Sequence, residues 1–424
     1  MPHLTKDPRL EQLHLKCFCA IAIVLLFIGA FIFASPAELL RGMAIIVISR
    51  DALITDYFAL AGYGSAFLNG ALTLTIVLVI LIKFKVHFTG LTLAAFFINA
   101  GFAFFGKNPI NIIPIFLGTY IYSLIHQVKI TRYVYTALFG TCLSPLVIEM
   151  VHILPFGLVP NLFVAICIGF MIGYILPTLA AHTPSMHLGY NLFNVGFAAG
   201  ILGFCIVSVL EAVGFASPSV MIWQEGRPLW LIVTLYSFFL IIFLYGFWIC
   251  EWNFKPFIRI LRHPGRAVAD FVLMDGIGPT LMNMSVIGAF GLTYILIIGG
   301  DLSGPVVGGI LTIFGFAAFG VHIRNFIPCL IGVFLSTFLQ AFTPTMPSIQ
   351  LAALFSAGLA PIAGQFGILA GIIAGILHTC IVTGTSDMYA GLNLYNNGFS
   401  AGFVAIIMVP LLENFKTYSY TRKK

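Results

Sequence analysis

The sequence predicts an all-α integral membrane protein of about 14 transmembrane segments, arranged as two inverted seven-segment repeats with short helices broken at Gly and Pro. Three observations predict it. Of 424 residues, 60% are hydrophobic and only 8% are charged, whereas a soluble domain carries about 25% charged residues. Apolar runs of roughly 16–27 residues succeed one another along the chain, the length a helix needs to cross a bilayer. Finally, the stretch Gly189–Gly200 returns as Gly391–Gly402, with Gly, Asn, Asn, Gly, Ala and Gly recurring at an offset of 202. A repeat this specific marks two copies of one unit.

Residues 1–16 are polar and basic (Lys6, Arg9, Lys16) and precede an apolar run. Ala30 to Pro36 makes a poor cleavage site, so the first span is read as uncleaved. The spans of the first repeat are 17–35, 57–82, 90–105, 110–126, 133–153, 161–180 and 187–213. Those of the second are 228–250, 270–299, 304–319, 325–342, 350–364, 365–384 and 391–412. Residues 1–213 thus form the first repeat, 214–227 the connecting loop and 228–424 the second repeat. The third and fourth spans of each half are short for a bilayer of about 30 Å, as expected of tilted or broken helices.

The halves superpose in order. Asp56, Gly62, Gly64 and Asn69 match Asp270, Gly276, Gly278 and Asn283 at an offset of 214. Gly101–Gly106 matches Gly315–Gly320, and Asn111, Pro114 and Gly118 match Asn325, Pro328 and Gly332, at the same offset. Ala137–Phe139 with Leu143 and Pro145 matches Ala353–Phe355 with Leu359 and Pro361 at 216. Charge argues for inversion. After the first span, Arg41 and Arg50 are balanced by Glu38, Asp51 and Asp56, whereas the equivalent loop carries Lys255, Arg259, Arg262 and Arg266. After the second span Lys83 and Lys85 face only Asp301 in the copy. Equivalent loops with opposite bias lie on opposite sides of the membrane. Both termini, with Lys6, Arg9, Lys16 and Lys416, Arg422, Lys423, Lys424, then fall on the cytoplasmic side.

The net charge of +6 is read as a topology signal rather than as a nucleic-acid surface. The eight cysteines are dispersed through apolar segments without Cys-x-x-Cys, as small hydrophobes rather than metal ligands. No nucleotide-binding loop and no hydrolase motif stands in a suitable context. Neither a cofactor, a metal nor an enzymatic activity is expected.

The candidate substrate residues are those that both copies keep. Gly62 and Gly64, with Gly276 and Gly278, either unwind a helix and expose backbone amides or allow close helix packing. Asn69 and Asn283 follow each pair by five residues. Asn191 and Asn194, like Asn393 and Asn396, stand three apart, on one face of a helix, and either join helices or bind solute. Glu149 and His152 lie one turn apart and have Gln365 and Ile368 as counterparts. A buried carboxylate is a candidate coupling group, with His152 modulating it, and the alternative is a wetted interfacial pair. Lys107 and Arg324 flank the break between the third and fourth spans, where they either attract an anion or snorkel.

Ile54–Tyr57 with Gly62, Gly64 and Asn69, followed by Phe105–Asn108, resembles a set of bacterial two-repeat membrane proteins, mostly from Firmicutes, catalogued as a domain of unknown function. That resemblance spans nearly the whole chain and implies no substrate or site residues. The seven-plus-seven plan is similar to that of nucleobase and sulfate-type transporters, and the paired Gly-x-Asn motifs are similar to those of urea channels. The expected function is secondary transport of a small polar or anionic solute across the bacterial plasma membrane by alternating access, coupled to H⁺ or Na⁺. The alternative is a passive channel for a small neutral or anionic solute. Expected partners are the solute and the lipid bilayer; a homodimer is compatible with the sequence.

Overall fold

The computed structural model describes residues 8–51, 54–218, 221–339 and 341–421, with residue 8 and the last six in backbone only. The terminal charges Lys6, Arg422, Lys423 and Lys424 lie outside the described residues. The first half runs α1 (Pro8–Phe33), α2 (Pro36–Ile48), β1 (Ile54–Thr55), α3 (Tyr57–Lys83), α4 (Gly90–Phe102), α5 (Ile113–Ile125), α6 (Val134–Gly140), α7 (Ser144–Ile153), α8 (Leu158–His187) and α9 (Asn194–Ala212). The second runs β2 (Met221–Ile222), α10 (Leu229–Ile249), α11 (Lys255–Ile260), α12 (Phe271–Asp275), α13 (Ile277–Ile297), α14 (Gly304–Phe316), α15 (Ile323–Ser336), α16 (Pro347–Phe355), α17 (Ala360–Phe366), α18 (Ile368–Thr385) and α19 (Asn396–Thr421). Among the described residues, ten helical segments are long and apolar enough to cross a membrane. Four shorter apolar helices, α4, α5, α14 and α15, take the third and fourth places of each half. This is a nearly all-α, membrane-type protein.

Local chemistry sets the element ends. Asp56 and Asp270 cap the helices that follow them by accepting from Phe58 N and Leu273 N respectively, which satisfies amides a helix start leaves free. Just before Asp56, the chain is held by the two parallel pairs Ile54↔Met221 and Thr55↔Ile222, which tie this loop to the connecting segment. Pro145 and Pro361 open α7 and α17, each after a 3₁₀ turn, so the fifth span of both halves is broken at the same place.

The interior is built on α4 and α14. They cross at Gly101 and Gly308, where a Cβ on Gly101 would lie 2.3 Å from the Gly308 carbonyl oxygen. All but one residue of α4 is buried, and α14 is buried nearly throughout. By contrast α1, α8 and α10 present Ile, Leu, Val and Phe outward, including Ile28, Phe163 and Ile241, as lipid-facing helices do because hydrocarbon is as good a solvent as the core.

The structure corrects several expectations. Residues 36–48, read as loop, form α2, whose Ser35–Glu38 capping box is complete. The first span begins at Pro8 rather than near 17, and the sixth is longer than expected and ends at His187. The seventh span begins at Asn194 and not at 187, because Leu188 and Gly189 adopt the left-handed region (φ 53° and 79°) and end α8 in a turn. Ala390 and Gly391 repeat that turn in the second half (φ 50° and 71°).

Candidate functional site

The paired glycines divide their roles. Gly62 and Gly276 take φ 78°, ψ 161° and φ 89°, ψ 173°, a region L-residues avoid, and they break the helix at equivalent points. Gly64 and Gly278 are helical and provide close packing: a Cβ there would meet the Ala34 Cβ at 2.6 Å and the Cys250 Sγ at 2.7 Å.

Asn69 and Asn283 bind the breaks that follow α4 and α14. The Asn69 amide donates to the carbonyls of Ala103 and Lys107, both at 2.7 Å. Asn283 does the same to Ala317 at 2.7 Å and Val321 at 2.8 Å. The Oδ1 of both residues is buried without a hydrogen-bond partner among the described residues. Asn111 and Asn325 finish the turn by donating to the carbonyls of Gly106 and Gly320.

The two halves cap each other. The Asp270 carboxylate accepts from Gly90 N at 2.8 Å and Leu91 N at 3.1 Å, at the start of α4. Reciprocally, Asp56 accepts from Gly304 N at 2.9 Å, at the start of α14, and from Gln224 N at 3.0 Å. Each carboxylate therefore serves its own helix and the short helix of the other half, where a helix N-terminus favours negative charge. Burial raises the Asp56 carboxyl above the ordinary aspartate range, against the lowering effect of these amides.

The motif asparagines occupy two structural settings. Asn191 and Asn393 lie in the turns before α9 and α19, where each side-chain oxygen accepts from the amide two residues on, Phe193 N or Tyr395 N. They are not on one helix face with their partners, which corrects the ladder expected from spacing. Asn194 begins α9; its oxygen accepts from Thr183 Oγ1 at 2.6 Å and meets His187 Nε2 at 2.9 Å. Asn396 repeats this with Thr385 at 2.8 Å and with Tyr389. The amides of both return to the preceding helix, at Ala180 and Val382. In each half the turn also docks on the other half's broken fifth span, through Leu394 N to the Cys142 carbonyl and Leu192 N to that of Gly358.

Glu149 and His152 are separated. Glu149 is buried, accepts from Ser217 Oγ at 2.7 Å and faces Arg50 at 3.6 Å, whereas His152 is exposed. Near Glu149, in the loop after α2, Asp51 is fully buried and accepts from Tyr57 Oη at 2.5 Å and Asn111 Nδ2 at 3.0 Å. Desolvation pushes the Asp51 carboxyl up to about 7, against the lowering hydrogen bonds of Tyr57 and Asn111; the charge of Glu149 pushes it further up. At the equivalent positions the second half lacks this cluster: Gly265, Phe271 and Gln365 replace Asp51, Tyr57 and Glu149, Asn325 turns to the Pro264 carbonyl, and the buried carboxylate there is Asp275, paired with Arg259 and His263.

Lys107 does not snorkel. It is fully buried, donates to Asn99 Oδ1 at 2.9 Å, and lies 5.0 Å from the centroid of the Phe102 ring. Arg324 is exposed. Asp51 and Lys107 were both legible as charges standing beside repeated motifs with no charged counterpart, Gly265 and Val321, in the copy. Among the described residues, no group of three or more His, Cys, Asp or Glu is placed to hold a metal ion.

The family described as "Protein of unknown function (DUF1576)" matches two stretches, residues 35–212 and 249–414, one in each half. The chain belongs to the DUF1576 family. No match was found among curated proteins or among solved structures. For this DUF1576 chain, the matched stretches hold both helix breaks, both capping aspartates and both asparagine turns.

Proposed function

We propose that the chain is a secondary transporter that moves a small polar or anionic solute by alternating access. The observation that carries this reading is the reciprocal capping at the α4–α14 crossing. The start of α3, at Asp56, adjoins the start of α14, while the start of α12, at Asp270, adjoins the start of α4. Because α14 begins where α13 has ended, α3 and α13 run in opposite senses, the arrangement an inverted repeat requires. Inverted repeats with broken helices are the recurrent plan of secondary transporters, whose solutes bind at the repeat interface.

The arrangement supplies a simple means of alternation. One end of the crossing is closed by Asp56, Gly304 and Gln224, and the other by Asp270, Gly90 and Leu91. Releasing one set while keeping the other opens the interior to one side. The buried oxygens of Asn69 and Asn283, at equivalent breaks, are acceptors left for a polar solute. The pair Asp51 and Glu149, which has no counterpart at the equivalent positions of the second half, gives the cycle a proton-handling group. By the positive-inside rule the loop bearing Lys255, Arg259, Arg262 and Arg266 faces the cytoplasm, with both termini, in a bacterial plasma membrane.

The test is flux in proteoliposomes, with solutes first chosen by their stabilisation of the purified protein. Uptake above equilibrium under a proton or sodium gradient, reduced in Glu149→Gln or Asp51→Asn, supports the reading. Flux that follows only the solute's own gradient overturns it in favour of a facilitator. Conversion of solute without net flux overturns it in favour of an enzyme.

A further inference from the structure

The start of α1 and the end of α3 enclose a polar pocket that no step of the proposed transport cycle uses. Its volume is about 260 Å³, and its lining includes Gln12 and Lys16 of α1 with Ile82, Lys85, Val86 and His87 at the α3 end. At roughly 30 Å³ per water it has room for about eight waters, enough for a phosphate group and part of its ester. Among the described residues that line it, none is acidic. Glu11, the neighbouring carboxylate, is engaged by the Ile277 amide.

The pocket's donors are held in place. Gln12 clamps the loop, its Nε2 donating to the Phe88 carbonyl and its Oε1 accepting from Phe88 N, both at 2.8 Å. Those bonds fix the amide's orientation, so the Nε2 that meets His87 Nε2 at 3.2 Å donates there as well, and the imidazole proton sits on Nδ1. Lys85 adopts a left-handed turn (φ 52°), in which Lys85 N and Val86 N return to the carbonyls of Ile82 and Leu81 and satisfy the end of α3. Lys16, whose ammonium lies 5.7 Å from the centroid of the Phe88 ring, supplies a second charge.

Its surroundings place the pocket at the headgroup level of a bilayer. Val79 and Ile82 are half exposed on α3, as lipid-facing residues are. Between Gln12 and Lys16 on α1, His14 Nδ1 meets the Tyr245 hydroxyl at 3.0 Å. Tyr245 stacks with Trp248, and both are exposed, the interfacial position that amphipathic rings prefer. That end of α10 leads into the loop with Lys255, Arg259, Arg262 and Arg266, on the side that the positive-inside rule reads as cytoplasmic. The second half keeps the tie but not the charge. Leu302 N donates to the Gly226 carbonyl, while Ile297, Gly299 and Asp301 stand in place of Lys83, Lys85 and His87. Asp301 there accepts from Gly226 N and Trp223 Nε1. Packing therefore needs the contact and not its lysines.

We propose that this pocket binds the phosphate of an anionic phospholipid headgroup, held by Lys16, Lys85 and His87, with an acyl chain lying against Val79 and Ile82. A basic pocket between membrane helices at the cytoplasmic surface suits such a headgroup, and each lysine near the surface adds attraction. Free phosphate would share these donors but gain nothing from the apolar surface beside them. Lipid binding here does not depend on transport.

The experiment is thermal unfolding of the full-length protein, delipidated in detergent and titrated with phosphatidylglycerol, phosphatidylcholine or sodium phosphate at matched ionic strength. Phosphatidylglycerol should raise the melting temperature saturably, and the other two should not. Lys16→Gln and Lys85→Asn should each raise the half-saturating concentration about fivefold. Both side chains are at least partly exposed, and asparagine tolerates the left-handed conformation of Lys85, so both variants should fold. Lys255→Gln, on the same side but outside the pocket, should change it less than twofold. Equal stabilisation by sodium phosphate overturns the lipid in favour of a free oxyanion, and equal stabilisation by phosphatidylcholine overturns the preference for an anionic headgroup. A loss in Lys255→Gln as large as that in Lys85→Asn overturns the site in favour of diffuse attraction to the whole basic face. An undiminished effect in the double variant of Lys16 and Lys85 overturns it outright.

Discussion

Asn69 and Asn283 each give both amide hydrogens to carbonyls exposed by a helix end. The sequence marked them as solute ligands, but their nitrogen has a structural task and only their oxygen is open. Replacing Asn69 by Leu should cost about 2–4 kcal/mol, since two buried carbonyls lose their donor, and Asn283→Leu should cost the same, as read by thermal unfolding in detergent. Asp51 carries a pH signature. Its carboxyl is pushed up to about 7 in the folded protein, against about 3.9 when unfolded, so the folded state binds the proton more tightly. Its stabilising contribution is therefore complete below about pH 4 and lost as pH rises through 7, at up to about 1.4 kcal/mol per pH unit. The groups around it are Tyr57, Asn111, Glu149 and Arg50. Asp51→Asn should flatten the fall in melting temperature between about pH 4 and 7; an unchanged slope would assign the fall to other groups.

At the scale of elements, α4 and α14 are too short to cross a bilayer by themselves and depend on one another. Each takes a cap from the other half, and Gly101 and Gly308 let their backbones touch. Asp56→Ala removes acceptors for Phe58, Gly304 and Gln224 and should destabilise by about 2–4 kcal/mol, more than an ordinary N-cap, which is worth about 1 kcal/mol. Asp270→Ala should cost a similar amount, and because the two carboxylates share no partner the costs should add within about 0.5 kcal/mol. Gly101→Val should separate α4 from α14 and abolish the monodisperse species in size-exclusion chromatography. Gly384→Ala, with nothing within 4 Å of the added methyl, should leave it intact. These pairings join residues roughly 180–250 positions apart. No local signal in either segment announces them.

On the scale of the whole molecule, the inverted plan has a direct test. Lys85 and Gly299 lie 214 positions apart, after α3 and α13. Single cysteines at these sites, in a background lacking the native ones, should be modified by an impermeant reagent from opposite sides of the membrane; labelling from one side would make the repeats parallel. The sequence by itself determined the membrane class, the duplication, the helix breaks and the short third and fourth segments of each half. These follow from composition, from repetition and from glycine's freedom at positive φ, all of which are properties of the chain read locally or against itself. Only the tertiary structure decided what the polar residues do. A hydrogen bond needs its two atoms within about 3 Å, and neither hydropathy nor spacing says which distant carbonyl or amide will arrive there. Thus the asparagines became ties across a turn, the aspartates became caps for the opposite half, and Lys107, read as either attracting an anion or snorkelling, became a buried side chain bonded to Asn99 and packed on the Phe102 ring.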